Sequence, residues 1–397
     1  MSLFATVAIT LVLLIHYYLW ARLVRDTHLG GTARFAGTSA LVVLLLALLA
    51  SVVLRRSVER EVLGPLPLVA WTWAGLMFYL LLLLGVGDLI RAASRLTTGL
   101  RRRLGRDSAS PGPPDPGRRQ ALARLAAGGA VLGSAGLGIY GVRRARSGDF
   151  ETPEHVIAIP RLPRALDGYR IVQLSDVHVG PTIGRRFLDE MVERTNALRP
   201  DLVVITGDLV DGSVAMLGQD VGTLSKLRAR HGTAFVTGNH EFFSGVDEWL
   251  TCLRRLGIQV LGNQRVSIGD RGPGGASFDL AGIHDAWGGR RGDAYAPDLT
   301  RALRGRDPER ALVLLAHQPK QIDMAEGHGV DLQLSGHTHG GQLWPFGEAT
   351  ALVQPWIRGL HSRGDTRIYV SKGTGYWGPP MRVGAPPEIA SLVLTAG

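Results

Sequence analysis

The stretch Gly336-His337-Thr338-His339-Gly340-Gly341-Gln342 lies near the end of a long segment in which short apolar runs alternate with amphipathic ones. Two imidazoles one residue apart reach neighbouring points only if the backbone turns sharply beneath them. Glycine adopts the backbone angles of such a turn at low cost, and glycines flank this pair on both sides. Because imidazole is a frequent metal ligand, the stretch predicts a metal-binding turn.

The apolar runs upstream predict buried strands, and the amphipathic runs between them predict helices. The predicted strands are 170–175, 202–206, 234–237, 280–283, 311–316 and 332–334. The predicted helices are 185–198, 221–229 and 246–256. This alternation is typical of an α/β fold with a largely parallel sheet and helices outside it.

Five of these strands end at residues that commonly bind metals. They are followed in turn by Asp176 and His178, by Asp208 and Asp211, by Asn239, His240 and Glu241, by His317, and by His337 and His339. Ligands of parallel sheets bind beyond the carboxyl ends of the strands. An aspartate after one strand is commonly a helix cap, and a lone histidine is commonly structural. Five coincidences of this kind point instead to one shared site.

The candidate ligands are oxygen atoms and imidazole nitrogens, without thiolate, because Cys252 is the only cysteine. Such a set suits Mn²⁺, Fe or Zn²⁺ better than Ca²⁺ or a structural zinc. The residues outnumber the ligands that one catalytic ion uses, so we expect two divalent ions. Two ions about 3.5–4 Å apart can share a carboxylate and a hydroxide and clamp the oxygens of a displacement at phosphorus.

The five blocks read Asp-x-His, Gly-Asp-x-x-Asp, Gly-Asn-His-Glu, a separate His, and Gly-His-x-His. In this order they resemble the signature of the calcineurin-like metallophosphoesterase family, over about residues 169–394. The resemblance implies a four-layer αββα sandwich of two mixed sheets. It also implies hydrolysis of a phosphomonoester or phosphodiester through a metal-bridging hydroxide. Gly373-Thr374-Gly375, Pro387-Glu388-Ile389 and an export-type signal look closest to the exported or membrane-anchored bacterial branch.

The resemblance also implies a role for each residue. Asp176, His178 and His339 would hold one metal ion, Asn239, His317 and His337 the second, and Asp208 both. His240 would be the outer-sphere acid that protonates the leaving oxygen or stabilises the charged transition state. Asp211 and Glu241 would orient imidazoles instead of binding metal. His284 follows another predicted strand, and we expect a structural role for it over a substrate contact.

The N-terminal part differs sharply in composition from this segment. Residues 1–150 hold 18 arginines and 7 acidic residues, a balance of +11, whereas the remainder holds 26 basic and 27 acidic residues, a balance of −1. Residues 1–21, 35–54 and 62–87 carry no charge and predict three transmembrane helices. A fourth uncharged run, 125–142, is rich in glycine and predicts either a span or a signal-like segment.

We therefore divide the chain into four regions. They are a three-helix transmembrane region 1–90, an Arg/Pro-rich cytoplasmic linker 91–120 read as a disordered loop, a fourth transmembrane or signal-like helix 121–145, and a metallophosphoesterase domain 151–397. The loops 22–34 and 91–119 hold three and eight arginines, eleven in all, against six in 55–61 and 143–146. This predicts a multi-pass protein of the cell membrane with an extracytoplasmic catalytic domain. Arg118-Arg119 also resembles a twin-arginine export signal, which would place that domain on the same side.

The leading hypothesis is a membrane-anchored phosphoesterase that binds two metal ions, and the tether suggests a lipid-linked or envelope substrate. The alternative is a membrane transport or sensory protein with a regulatory phosphoesterase domain. Transport routes usually need ionisable residues within the spans, and His16 is the only one well inside the first three runs. An extracellular nuclease is disfavoured, and no nucleic-acid partner is expected, because the catalytic half lacks an excess of basic residues.

Overall fold

A computed structural model of this protein describes residues 3–54, 58, 60–104, 115–270 and 275–397. They form two compact units, Met1–Tyr140 and Gly141–Gly397. Residues 55–57 and 59 of the loop 55–61, and residues 105–114 of the predicted linker 91–120, lie outside the described residues.

The first unit is helical. Its helices are α1 (Leu3–Trp20), continued by the π-helical turn Ala21–Arg25, then α2 (Gly31–Leu54), α3 (Arg60–Leu63), α4 (Leu66–Arg103) and the start of α5 (Pro116–Arg146). Four segments are long and apolar enough to cross a membrane: Thr6–Arg25, Gly31–Leu54, Leu66–Arg101 and Pro116–Arg146. Each of the four predicted apolar runs overlaps one of them, so the chain is a membrane protein.

Helix α4 extends well beyond its apolar run. The disordered loop expected within 91–120 is wrong for residues 91–103, which continue α4, and for residues 116–120, which begin α5. Arginine, leucine and alanine have high helix propensity, so the helix continues after the uncharged residues end.

His16 has a structural role inside the first unit. It is buried, its Nε2 accepts a hydrogen bond from Trp73 Nε1 at 3.0 Å, and its Nδ1 donates to the carbonyl of Val12 at 2.8 Å. Both ring nitrogens of a neutral imidazole are therefore satisfied. These contacts support the view that His16 is not part of a transport route.

The described residues of the second unit form twelve strands. They are β1 (Glu154–Ile159), β2 (Tyr169–Leu174), β3 (Leu202–Ile205), β4 (Thr233–Phe235), β5 (Gln259–Val260), β6 (Gln264–Gly269), β7 (Ser277–Gly282), β8 (Leu312–Leu315), β9 (Leu332–Ser335), β10 (Gly359–Arg363), β11 (Thr366–Val370) and β12 (Ala390–Ala396). One sheet has the order β1-β12-β2-β3-β4-β5 and the other β10-β11-β9-β8-β7-β6. Both sheets are mixed, because β12 runs antiparallel to β2, β6 to β7 and β10 to β11.

Its helices are α6 (Arg185–Ala197), α7 (Val214–Val221), α8 (Asn239–Ser244), α9 (Val246–Arg255), α10 (Leu299–Ala302) and α11 (Phe346–Thr350). The helix predicted over 221–229 is wrong. Helix α7 begins earlier, after Ser213, and gives way at Gly222 to a 3-10 turn, beyond which Leu227 is extended. Serine favours the position just before a helix, which was the overlooked signal.

Alternating side chains of the central strands divide the core into layers. In β3, Leu202 and Val204 pack between the two sheets, while Val203 and Ile205 face the layer that holds Leu188 of α6. The strands of the second sheet alternate in the same way between the inter-sheet core and an outer layer with α10. Successive side chains of a strand point to opposite faces, so a strand buried on both faces reads as a continuous apolar run. The four-layer sandwich is confirmed.

Candidate metal centre

The loops after five strands of both sheets bring the predicted residues together. Three clusters of potential metal ligands form, each with its ligand atoms within 4.8 Å of one another. The first cluster contains Asp176, His178 and His339. The second contains His178, Asp208 and His240. The third contains Asp208, His317 and His337. We call the first the His339 group and the third the His317 group. The middle cluster shares a member with each, so the two groups adjoin.

The His339 group is connected by short contacts between ligand atoms. His178 Nε2 lies 3.0 Å from His339 Nε2, which lies 3.5 Å from Asp176 Oδ1. Ligands about 2.0–2.2 Å from one cation lie about 3.3 Å apart in a tetrahedral arrangement. The observed spacings therefore suit a common cation.

The His317 group is joined through Asp208. His317 Nδ1 donates to the carbonyl of Thr206 at 2.7 Å, which turns Nε2 toward Asp208 Oδ2 at 3.1 Å and His337 Nδ1 at 3.2 Å. Burial opposes protonation of His317, but the charge of Asp208 outweighs it and raises the imidazole pKa well above its usual value. The negative environment that favours a proton here also favours a metal cation.

Asn239 lies at the same place, since its neighbour His240 donates a backbone N–H to Asp208 Oδ1 at 2.8 Å. The amide oxygen of Asn239 is buried without a hydrogen-bond partner in the described part of the chain. An unpaired buried oxygen is costly unless something outside the protein satisfies it. This orphaned acceptor, together with the imidazole and carboxylate atoms around it, fits a metal site.

The ligand residues themselves adopt unusual backbone angles. Asp176, His178, Asp208, His337 and His339 all have positive φ, between 50° and 72°. Residues other than glycine rarely adopt this region, and such strain concentrates at functional sites. The turn at 336–342 therefore depends on the backbone of His337 and His339 as well as on that of its glycines. Gly336 serves another purpose, because a side chain there would collide with Ser175 and Asp176.

Asp211 orients two imidazoles, as the resemblance implies. Its Oδ1 accepts from His178 Nδ1 at 3.2 Å and from His240 Nδ1 at 2.5 Å. His240 Nε2 lies 4.0 Å from Asp208 Oδ2, and the His240 side chain is 15 % exposed. Burial disfavours the charged ring, but Asp208 and Asp211 outweigh it and raise the pKa of His240 to about 9. A ring with this pKa carries a proton at neutral pH.

Glu241 differs from its expected role. Its buried carboxylate contacts backbone and not an imidazole. It accepts hydrogen bonds from the N–H groups of Asp208, Leu209 and Gly238, at 3.0, 2.8 and 2.6 Å. Glu241 thereby fastens the loop after β3 to the loop after β4. Burial, then the charge of Asp208, raises its pKa to about 7.

Arg382 was missed by the sequence reasoning. It is fully buried, and it donates to the carbonyls of His339 and Lys372 at 2.8 and 2.7 Å and to Gly375 at 2.9 Å. Its Nη2 also lies 3.2 Å from His339 Nδ1. Burial and the nearby Arg382 lower the pKa of His339 well below its usual value, which keeps this imidazole neutral. One signal was available, since Arg382 is the only charged residue in 373–387.

His284 has the expected structural surroundings. It is buried, its Nδ1 lies 3.1 Å from Thr237 Oγ1, and its ring packs edge-on against Phe242 and Tyr295. Burial lowers the pKa of His284 to about 4.

Aromatic rings surround His240 at the exposed side of the centre. Phe243 and Trp377 lie 5.3 and 5.7 Å from its ring, and Trp287 packs edge-on against Phe243 at 4.9 Å. The Arg290 guanidinium lies 3.9 Å from the Trp287 ring centre. We call Phe243, Trp287 and Trp377 the aromatic rim.

Comparison with known proteins places this geometry in a family. The family model described as calcineurin-like phosphoesterase matches residues 169–341, which hold all seven proposed ligands. An uncharacterized metallophosphoesterase of Aquifex aeolicus is 34% identical over 244 residues, 61% of this chain and 90% of that protein. The chain belongs to the calcineurin-like phosphoesterase family. Residues 169–341 accordingly form its calcineurin-like phosphoesterase domain.

Other relatives share the same domain. An uncharacterized metallophosphoesterase of Helicobacter pylori is 42% identical over 246 residues, 62% of this phosphoesterase and 63% of that protein. A Bos taurus relative named transmembrane protein with metallophosphoesterase domain is 41% identical over 248 residues, 60% of this chain and 56% of that protein. The matched region thus spans less than two thirds of these two relatives.

Proposed function

We propose that this phosphoesterase binds two divalent ions and hydrolyses a phosphomonoester or phosphodiester with their help. The observation that carries the proposal is the junction at Asp208. Its carboxylate is the common member of two clusters that draw residues from both sheets. A single carboxylate between two ligand groups is what a two-metal site requires.

We assign the ligands from the resemblance, and the first and third clusters support the assignment. Asp176, His178 and His339 would hold one ion, Asn239, His317 and His337 the other, and Asp208 both. Bound Mn²⁺, Fe or Zn²⁺ ions would supply Lewis acidity that activates water and offsets charge on the phosphoryl oxygens. The neutral state of His339 and the unpaired oxygen of Asn239 support these assignments.

His240 would act as the acid. Its Nδ1 is held by Asp211, so its Nε2 remains free to protonate a leaving oxygen. Because the pKa of His240 is raised, its ring carries a proton at neutral pH, as an acid catalyst requires.

The aromatic rim supports a substrate whose leaving group carries an apolar or flat portion. Trp377 is half exposed and lies beside His240, where the leaving group would depart. Aromatic rings contribute apolar surface, and the nearby Arg290 adds a positive charge for an anionic ester. A lipid-linked or envelope phosphate ester has both features, and we propose this class of substrate.

We further propose that the catalytic unit lies outside the cytoplasm. The support is the excess of arginines in the loops 22–34 and 91–119 over those in the opposite loops. An alkaline phosphatase reporter fused after Gly397 should be active in cells if the carboxyl end is outside. Activity of only a cytoplasmic reporter would contradict this orientation.

The catalytic proposal is tested with the full chain in detergent, supplied with Mn²⁺ and either p-nitrophenyl phosphate or bis-p-nitrophenyl phosphate. We expect Asp208→Asn to lower kcat on the order of 10³-fold, since both ions lose a charged ligand. Asp189→Asn is the matched control, because Asp189 is partly exposed and pairs with Lys226 away from the clusters. Full activity of Asp208→Asn would contradict the shared role of Asp208.

A further inference from the structure

One segment of the catalytic unit holds large apolar side chains out toward solvent. It runs from Trp344 to Val353 and contains the short helix α11. The exposed fractions are 61% for Trp344, 55% for Phe346, 86% for Leu352 and 75% for Val353. Soluble surfaces seldom expose so many large apolar side chains within ten residues, and such patches usually mark an interaction site. We call residues 344–353 the apolar segment.

The backbone of the apolar segment is firmly held at its base. Trp344 N–H donates to the carbonyl of Val383 at 2.8 Å, and Phe346 N–H donates to Leu343 at 2.7 Å. Thr338, next to the metal centre, donates its hydroxyl to the carbonyl of Ile357 at 2.7 Å. The apolar side chains are therefore presented by an ordered turn, and their exposure is a property of the fold.

The base of the segment adjoins the last turns of α5, which belong to the same unit. Arg382 N–H donates to the carbonyl of Gly141 at 3.0 Å. A side chain at Gly141 would lie 3.0 Å from Val383 and 3.1 Å from Met381. Val383 thus contacts both Gly141 and the start of the apolar segment. The uncharged run of α5 ends at Val142, the residue after Gly141.

The composition of the segment selects among possible occupants. Tryptophan and phenylalanine favour the boundary between lipid headgroups and acyl chains, while leucine and valine favour the acyl region. Glu348 is the only charged residue between Gly341 and Ile357, so ionic contacts with a partner protein have little basis here. Arg143, Arg144 and Arg146 follow the uncharged run of α5 and suit the headgroup region of the same surface.

We propose that the apolar segment inserts into the bilayer surface beside the point where α5 emerges. The catalytic unit then contacts lipid through residues 344–353 in addition to its covalent tether. This inference does not depend on the substrate or on the number of metal ions. It assigns a function to side chains that the phosphoesterase reaction does not use.

The test uses the full chain in nanodiscs of phosphatidylcholine and phosphatidylglycerol. Cys252 is the only cysteine, so Cys252→Ser removes the native thiol. Leu352→Cys in that background is labelled with the polarity-sensitive fluorophore NBD. Met216→Cys is the matched control, because Met216 is also exposed in the catalytic unit but lies on α7. Phosphatidylcholine carrying a doxyl quencher near the headgroup reports whether the label reaches lipid.

We expect the label at 352 to emit at shorter wavelength and to be quenched at least about twofold more than the label at 216, since insertion reaches about 5–10 Å below the headgroups. Equal quenching at the two positions would overturn the proposal. A shorter wavelength at 352 without quenching would also overturn it, because a protein surface would then cover the segment. In a second variant, Leu352→Glu with the label at Val353→Cys, the extra quenching should disappear. Unchanged circular dichroism confirms that each variant is folded.

Discussion

The two ligand groups of the metal centre are supported in different ways. The His339 group is braced at both ends by charged side chains, since Asp211 accepts from His178 and Arg382 contacts His339. In the His317 group the outer nitrogen of His317 is held by a backbone carbonyl, that of Thr206. The oxygen of Asn239, the proposed fourth ligand there, lacks a hydrogen-bond partner among the described residues.

This difference indicates that the two ligand groups depend to different degrees on bound metal. Side chains that are hydrogen-bonded before metal arrives keep the His339 group in place, as outer partners of metal ligands commonly do. On the two-ion proposal, a bound ion would satisfy the unpaired oxygen beside the His317 group. We therefore expect changes around the first group to affect folding stability, and changes at Asn239 to affect metal binding and activity.

The largest effect is expected at Arg382. Arg382→Met removes donors from several buried carbonyls, including that of His339, and should lower the free energy of unfolding of the metal-free protein by about 3–5 kcal/mol. Denaturant unfolding of the full chain in detergent measures this loss. Arg358→Met is the control, because Arg358 is exposed and donates only to Gly384 at 2.9 Å among the contacts described. A similar loss of unfolding free energy in both variants would contradict the structural role assigned to Arg382.

The second largest effect is expected at Asn239, where a substitution should lower activity and leave the stability of the metal-free protein nearly unchanged. Asn239→Ala should lower kcat/KM on the order of 10²-fold at limiting Mn²⁺, because one ion loses a ligand. The metal-free protein should change in stability by less than about 1 kcal/mol, since the lost oxygen has no partner to leave behind. A Mn²⁺ titration and an unfolding curve on the same sample provide both values. Unchanged Mn²⁺ dependence would contradict the proposed ligand.

Asp211 gives a smaller and more selective effect. Asp211→Asn weakens the support of His178 and His240, and we expect a loss of about 10- to 100-fold in activity. The variant should lower the affinity for the ion at the His339 group more than for the other ion. The reason is that no member of the His317 group bonds to Asp211 in the described contacts. Isothermal titration with Mn²⁺ should then show two separated binding steps. Equal weakening of both steps would show that the two groups respond as one.

The smallest effect is expected in amide hydrogen exchange after the metal is removed. Chelation should increase amide hydrogen exchange in a peptide covering 237–242 more than in one covering 336–342, because Arg382 holds the latter without an ion. A difference of about 1 kcal/mol in opening free energy corresponds to about fivefold in exchange rate. Exchange mass spectrometry before and after chelation measures it. Greater loosening around His339 would reverse the comparison.

Much of the site was predictable because metal ligands follow strand ends in a recognisable order. Asp176, Asp208, Asn239, His317 and His337 each follow a strand that its apolar run predicted. Periodicity did not reveal two separate sheets, since a buried strand reads the same in either. The sheet partners of β2 and β9 are set by contacts far apart in sequence.

What the sequence missed depends on tertiary contacts. Arg382 binds carbonyls of residues distant along the chain, and no local pattern signals such contacts. Glu241 was expected to orient an imidazole, yet its carboxylate faces backbone N–H groups from the loops after β3 and β4. The helix expected at 221–229 failed because Ser213 and Gly222 set different ends. Each of these errors concerns a partner or a boundary.

The most direct test of the two-ion centre is anomalous diffraction from crystals of the full chain loaded with Mn²⁺. We expect two peaks, one contacted by His178 and His339 and the other by Asn239, His317 and His337, with the Asp208 carboxylate between them. A single peak, or peaks that the Asp208 carboxylate does not contact, would contradict this description of the centre.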